Sequence, residues 1–192
     1  MRDGDERPWA NIPAVAYVNL AADCRCFRAK MSYDVASSTP KEKDFPIAFS
    51  IMMYENLEQT ERLLRLIYRL QNVYCIHVDG KSQTDVRRGA AAIAGCFEDV
   101  FVAGLPVNVA WGQISVVVAE LLCTRKLLDV DKRWKYLVNL IARDFPLRTN
   151  RELVEIMKSF SGSNNIARHI PEEYVTCDRL RGRGLVHDIT TK

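Results

Sequence analysis

The chain has no apolar run of the roughly 18 to 20 residues that a membrane-spanning helix needs, and its charged start, MRDGDERP, has no hydrophobic stretch of the signal-peptide kind. As written, the sequence is expected to be soluble. It also lacks a charge excess. The 27 basic residues against 24 acidic ones leave +3, too little to argue for nucleic acid or an anionic membrane surface as a partner. No GxGxxG or GxxxxGK[ST] follows the first candidate strand, which counts against a dinucleotide enzyme or a phosphate-loop ATPase. Internal repeats and low-complexity segments are absent. Cysteine is sparse: 6 in 192 residues cannot build a disulfide-held miniprotein, but suffice for two or three bridges in a secretory compartment. What remains, at 48% hydrophobic residues, has ample material for one domain with a true core.

Residues 1–44 mix prolines, charges and short apolar pieces without a sustained period, and VASSTPKEKD at 35–44 reads as an exposed linker. The ordered core is therefore expected from Phe45. PIAFSIMMY at 46–54 has the profile of a buried strand, and Leu63, Leu64, Ile67 and Tyr68 fall on one helix face. NVYCIHVD at 72–79 predicts a second strand, SQTDVRRGAAAIAG at 82–95 a second helix and DVFVA at 99–103 a third strand. ISVVVAELLCTRKLLD at 114–129 is valine-rich, but too long for one strand, so it is read as a buried helix. WKYLVNLIA at 134–142 predicts a further strand, and Thr149 a cap for a helix over 151–160. Repeated βα units imply an α/β fold whose mostly parallel sheet carries helices on both faces. CDRLRGRGLVHDITTK, at 177–192, loses all periodicity and is expected to be a flexible or truncated end.

Ligands of open α/β sheets bind beyond the carboxyl ends of the strands. The residues that end each strand are thus the candidates: Met53, Tyr54 and Glu55; Asp79, Gly80 and Lys81; Ala110 and Trp111; Arg143 and Asp144. An aspartate there can take a ribose or base donor, and a neighbouring lysine can meet phosphate. Trp111 precedes Gly112 between a strand and a helix, where a ring can line a pocket mouth, whereas Trp9 and Trp134 are read as core. His77, His169 and His187 have no second ligand at zinc spacing, and His77 is expected to be packed. Cys24 and Cys26 form an isolated Cys-x-Cys. Asp129 and Asp131 have DxD spacing, but lie at a helix end and read as surface residues; no DxD stands near the second or third strand, where many sugar-nucleotide transferases hold a divalent ion. Asn164 and Asn165 after Gly162 read as a turn.

The strings FPIAFSIMMY, RLLRLIYRLQNVYCIHVDGK, CFEDVFVA, WGQISVVVAELLC, WKYLVNLIARDFPLRTN and GSNN, in this order, closely resemble the amino-terminal half of the core 2 and I-branching β-1,6-N-acetylglucosaminyltransferases, glycosyltransferase family 14. The likeness runs over roughly residues 7–170 and includes RPWANIPAVAYVNLAADC upstream. It implies an A-type glycosyltransferase (Rossmann-like) fold and an inverting, metal-independent transfer of GlcNAc from UDP-GlcNAc to a galactose or GalNAc 6-hydroxyl, with no cofactor. It also implies a type II Golgi membrane protein whose anchor lies outside this chain. The division that follows is a stem over 1–44, a UDP-sugar-binding half over 45–170 and a divergent tail over 171–192.

Carried onto this sequence, the family's donor site falls on Met52, Met53, Tyr54, Asp79, Gly80, Lys81 and Trp111, and its disulfides pair Cys24 with Cys96 and Cys75 with Cys123, leaving Cys26 and Cys177 free. The chain departs from the family at Ala167, where an acidic acceptor-holding residue is expected, and in PEEYVTCDRLRGRG, which replaces a basic cluster. The catalytic glutamate and the diphosphate-binding lysine and arginine are expected in a carboxyl-terminal half outside these residues. The chain alone is therefore expected to be inactive. A UDP-xylose-using relative, or a non-catalytic homologue that only binds a UDP-sugar, are the alternatives.

Overall fold

The computed structural model describes residues 12–33, 38–131 and 133–165. Trp9, Ala167, His169, Cys177 and His187 lie outside the described residues. The chain divides into two compact units, 1–157 and 158–192; the second contributes the end of one helix and the turn through Gly162 to what is described. The elements run α1 (Ala14–Leu20), α2 (Cys24–Lys30), α3 (Pro40–Lys43), β1 (Ile47–Met53), α4 (Leu57–Ile67), β2 (Val73–Val78), α5 (Thr84–Ala94), β3 (Val100–Val102), α6 (Ile114–Val130), β4 (Tyr136–Ile141) and α7 (Asn150–Ser159). Each strand and helix expected after Phe45 is present, with ends shifted by one or two residues.

All four strands are parallel, in the order β3-β2-β1-β4. The sequence expectation of a parallel α/β sheet is met. β1 and β2 are central and almost wholly buried, which is why they read as unbroken apolar runs. On one face, Ala48, Val73 and Cys75 pack under Cys123 and Leu127 of α6. On the other, the rings of Phe49 and Tyr74 stack at 5.3 Å, and Tyr74 donates its hydroxyl proton to the Ile67 carbonyl at the end of α4. α4 begins where Asn56 accepts the Gln59 amide, and buries Leu57, Leu63, Leu64 and Ile67 along one stripe. At α7, Thr149 and Glu152 satisfy each other's backbone amides, as the sequence placed the cap.

The exposed linker expected over 35–44 is corrected for its described part, 38–44. Thr39 and Glu42 form a capping box that starts α3, and buried Glu42 also accepts from Asn150, whose own oxygen accepts from Asn72. Upstream, Tyr17, Phe27 and Tyr33 are buried, and α1 packs along α5. Three helices of seven, seven and four residues are too short to show a period, so their burial is invisible in the pattern.

α6 is apolar nearly all round, and Ile114, Val117, Val118, Leu121 and Leu128 are left facing outward. β4 is an edge strand of mixed burial, with Ile141 exposed. This flank leaves apolar surface exposed.

Cys24 and Cys96 are disulfide-bonded, Cα to Cα 4.9 Å, joining α2 to the end of α5. The second expected pair is corrected: Cys75 and Cys123 are free thiols, buried between β2 and α6 and hydrogen-bonded to each other. The strand direction points Cys75 at α6 beside Ser50, so the two sulfurs meet without being joined. The hydrogen bond to Cys123, and then burial, push the Cys75 thiol well above its ordinary range, while the same hydrogen bond draws Cys123 below its own. Cys26 is free and exposed.

A cleft of about 650 Å³ lies at the amino ends of β2 and β3, opposite the strand ends singled out above. Asp99 there accepts the Tyr68 hydroxyl at 2.9 Å through Oδ1, while Oδ2 is buried without a partner. Burial pushes the Asp99 carboxyl up to about 6.

Two outcomes follow from these features. Cys24→Ser opens a loop spanning 72 positions, and chemical denaturation is expected to register a loss of about 4 kcal/mol in the chain-entropy model. A raised Asp99 pKa favours folding below the unfolded value near 3.8, an advantage lost as pH rises through about 6. Asp99→Asn keeps the acceptor for Tyr68 and removes the charge. It is expected to gain about 1 to 2 kcal/mol over the wild type at pH 7, after discounting for partial solvation, and nothing at pH 3.5.

Candidate functional site

The parallel register sets the carboxyl ends of β1, β2 and β4 side by side, with Met52 opposite both His77 and Ile141. Just beyond them lies a cleft of about 410 Å³. Met52, Met53, Tyr54, Asp79 and Trp111, all expected at the site, line it together; so do Glu55 and Arg143, picked as strand ends. Trp111 is 81% exposed at its mouth. Asn56, Gln59, Val109 and Ala142 also line the cleft, and nothing in the sequence pattern singled them out. His77 is packed, as expected, but it forms part of the floor. Its alternation with Asp79 along β2 was the available signal.

The turn after β2 is held from four directions. Asp79 Oδ1 accepts the Lys81 amide at 2.8 Å, and the Ser82 amide donates to the Asp79 carbonyl at 2.9 Å. The Ser82 hydroxyl donates to the Tyr54 carbonyl, tying the turn to the end of β1. Arg87 of α5 donates to the Gly80 carbonyl at 2.9 Å. Asp79 is thereby fixed at the cleft edge, buried on one side and aligned by the turn.

Gly80 and Lys81 stand beside the cleft rather than in its wall. Lys81 Nζ donates to the Val109 carbonyl at 2.6 Å, sits 5.5 Å over the Tyr54 ring and lies 3.7 Å from Asp79 Oδ2. It lines an adjoining cleft of about 490 Å³ that shares Tyr54, Glu55, Asn56, Gln59 and Arg143 with the first. The half-exposed ion pair contributes little by itself, but it keeps a cation at the junction of the two clefts. Gly80 is where the segment after β3 comes closest to β2. Its amide donates to the Val107 carbonyl at 2.9 Å, and a Cβ there would clash with Asn108 Oδ1 and meet Asn108 N at 3.2 Å.

Gly112, at φ +73°, turns the chain from Trp111 into α6 in a conformation that favours glycine. Ser115 accepts the Ala110 amide at 2.8 Å and closes that turn. Burial pushes the His77 imidazole below its ordinary value, against the opposing charge of Asp79. The arrangement offers two carboxylates, two cations, amide side chains and an exposed indole around the cleft and its adjoining opening, a set suited to a polar ligand with a flat ring and an anionic group. Among the described residues no group of three or more His, Cys, Asp or Glu side chains could hold a metal ion.

A family model described as Core-2/I-Branching enzyme matches residues 47–190. The chain belongs to this family. Among curated relatives, it is 41% identical over 158 residues to the beta-1,3-galactosyl-O-glycosyl-glycoprotein beta-1,6-N-acetylglucosaminyltransferase 3 of Bos taurus, an alignment covering 82% of this chain and 36% of the relative. The Mus musculus protein of that name is 39% identical over 155 residues, covering 81% and 36%. A Bovine herpesvirus 4 beta-1,3-galactosyl-O-glycosyl-glycoprotein beta-1,6-N-acetylglucosaminyltransferase is 40% identical over 157 residues, covering 82% and 36%. The chain thus spans about a third of the length of the curated relatives it matches. Its relatives in the family are glycosyltransferases, and the parallel sheet with its helices is consistent with an A-type glycosyltransferase domain. No described helix is long and apolar enough to cross a membrane.

The contact at Gly80 generates a test of the cleft's construction. In Gly80→Ala, the new methyl group can move the Asn108 side chain but presses on its backbone, so a stability loss of about 1 to 3 kcal/mol is expected in thermal or chemical unfolding. Gly104→Ala, where a Cβ meets nothing within 4 Å, is the control and is expected to stay within about 0.5 kcal/mol of wild type.

Proposed function

We propose that the cleft at the carboxyl ends of β1, β2 and β4 is the UDP-sugar site of a β-1,6-N-acetylglucosaminyltransferase. The observation that carries this reading is the convergence of Met52, Met53, Tyr54, Asp79 and Trp111, residues distant in sequence, on one opening in a chain of this family. Asp79 accepts from the uracil or ribose, Trp111 offers a flat face, and Lys81 and Arg143 lie where a diphosphate would extend. The donor is UDP-GlcNAc and the acceptor the 6-hydroxyl of a galactose or GalNAc in an O-glycan or branched glycan. In the reaction, a carboxylate takes the proton of that hydroxyl as it attacks the anomeric carbon in line, with inversion, and basic side chains rather than a metal stabilise the departing UDP. None of the donor-site residues carries the base's role. The setting that suits this chemistry is the Golgi lumen, with a membrane anchor supplied by sequence outside these residues.

Calorimetry with UDP tests the reading. The affinity is expected to be the same in EDTA as in manganese, and a strict manganese requirement would overturn the metal-independent assignment. Asp79→Ala is expected to weaken UDP by about 1 to 3 kcal/mol, the cost of leaving the ligand's polar groups unpaired. In the same preparation, labelled UDP-GlcNAc with a Gal-GalNAc acceptor is expected to be bound without transfer, since loss of a general base alone removes about 10² to 10⁴ in rate. Turnover would instead assign the base to a carboxylate of this chain, Glu55 at the cleft being the first to substitute.

A further inference from the structure

The segment that follows β3, residues 104–110, has no regular structure, yet Val109 and the adjoining Trp111 form one wall of the cleft. Four contacts tie it and the preceding Ala103 to β2 and the turn beyond. The Ala103 amide donates to the Ile76 carbonyl at 2.9 Å, Gly80 to the Val107 carbonyl, and Lys81 Nζ to the Val109 carbonyl. The fourth is the Val107 amide, which donates to Nε2 of His77 at 3.4 Å. His77 is the one side chain among these partners that is fully buried, at 1% exposure. Its ring therefore cannot exchange the Val107 amide for water, whereas Lys81, half exposed, can release its carbonyl without loss.

Resting on the donor-site reading above, we infer that His77 is a positioning residue: by accepting the Val107 amide it clamps residues 104–110 against β2, and so holds Val109 and Trp111 at the wall of the cleft. Accepting through Nε2 requires the neutral ring, with its proton on Nδ1. Protonation turns Nε2 into a donor facing a donor and breaks the clamp. The charged group acting on His77 is Asp79 on its own strand; residues 104–110 carry no titratable side chain, and Glu55 and Arg143 are the other charges at the cleft. Nδ1, buried without a hydrogen-bond partner, keeps the ring from gaining a second anchor.

The test is amide hydrogen exchange across residues 104–111, read beside UDP affinity, on the full chain. His77→Phe keeps a flat buried ring but removes the acceptor. Exchange of the Val107 amide is expected to rise about 10-fold or more, and the UDP dissociation constant about 3- to 10-fold. His77→Gln, whose carbonyl oxygen reaches a similar position, is expected to restore most of the protection, an outcome that a purely space-filling role would not give. In wild type, exchange corrected for its intrinsic rate is expected to increase only once pH has fallen below the ordinary imidazole range, since burial lowers the His77 pKa, and to stay flat in His77→Gln. Should His77→Phe fail to fold, Val107→Pro deletes the donating amide and leaves His77 in place; faster exchange at Asn108 and Val109 is then the expected result. Unchanged exchange in these variants, or a wild-type profile independent of pH, overturns the inference. If UDP fails to bind wild type while the exchange results hold, the clamp stands and the donor reading falls.

Discussion

The whole site depends on the parallel pairing of β1 with β2, in which Met52 lies opposite His77 and Met53 opposite Val78. Side chains alternate along a strand, so a slip of one residue would turn Cys75, His77 and Asp79 away from the α6 face and put Tyr74 and Ile76 in their place. What prevents the slip is burial. Tyr74 is fully enclosed, with its hydroxyl donating to the Ile67 carbonyl and accepting the Arg69 amide, and its ring stacked on Phe49. Asn72 adds a second lock at the start of the strand, because it accepts the Ile47 amide and donates to Asn150. The face that carries Cys75, His77 and Asp79 is thus registered from the opposite end and the opposite face of the sheet.

Much of this was legible in the sequence because it follows from period and position. The long elements declared themselves: β1 and β2 as apolar runs bounded by turns, α6 as an apolar stretch too long for a strand, α7 through Thr149. Ligands of open parallel sheets bind beyond the carboxyl ends of the strands, and that rule pointed to Tyr54, Asp79, Trp111 and Arg143, which line the cleft there. Met52 came from the family resemblance instead, since it lies inside the strand. The remaining residues were hidden for distinct reasons. Asn56 caps α4 in the structure, and its second position at the cleft is a tertiary fact. Val109 belongs to a segment with no period at all. The burial of Tyr17 and Phe27 comes from helices of two turns, below the length at which amphipathicity can be recognised.

The cysteines show where pattern and geometry part. Six cysteines leave fifteen complete pairings open, and only the family resemblance chose among them. The structure joins Cys24 to Cys96 and leaves Cys75 and Cys123 as thiols in contact. The first pair joins the start of α2 to the residues just past α5, whereas the second sits within an apolar cluster that also holds Ala48, Val73 and Leu127. Packing alone already brings that second pair together, so it does not need a covalent bond to be placed.

The Cys24–Cys96 bridge also decides how the molecule carries mechanical tension. A pull applied at the two ends of the chain travels along the covalent path, and that path jumps from Cys24 to Cys96 without passing through the residues between them. β1, α4, β2 and α5 all lie inside the bypassed loop. Stretching therefore draws out α1 and the segments after Cys96 first, while the two strands that carry Tyr54, His77 and Asp79 hang off the line of force as a closed, unloaded loop.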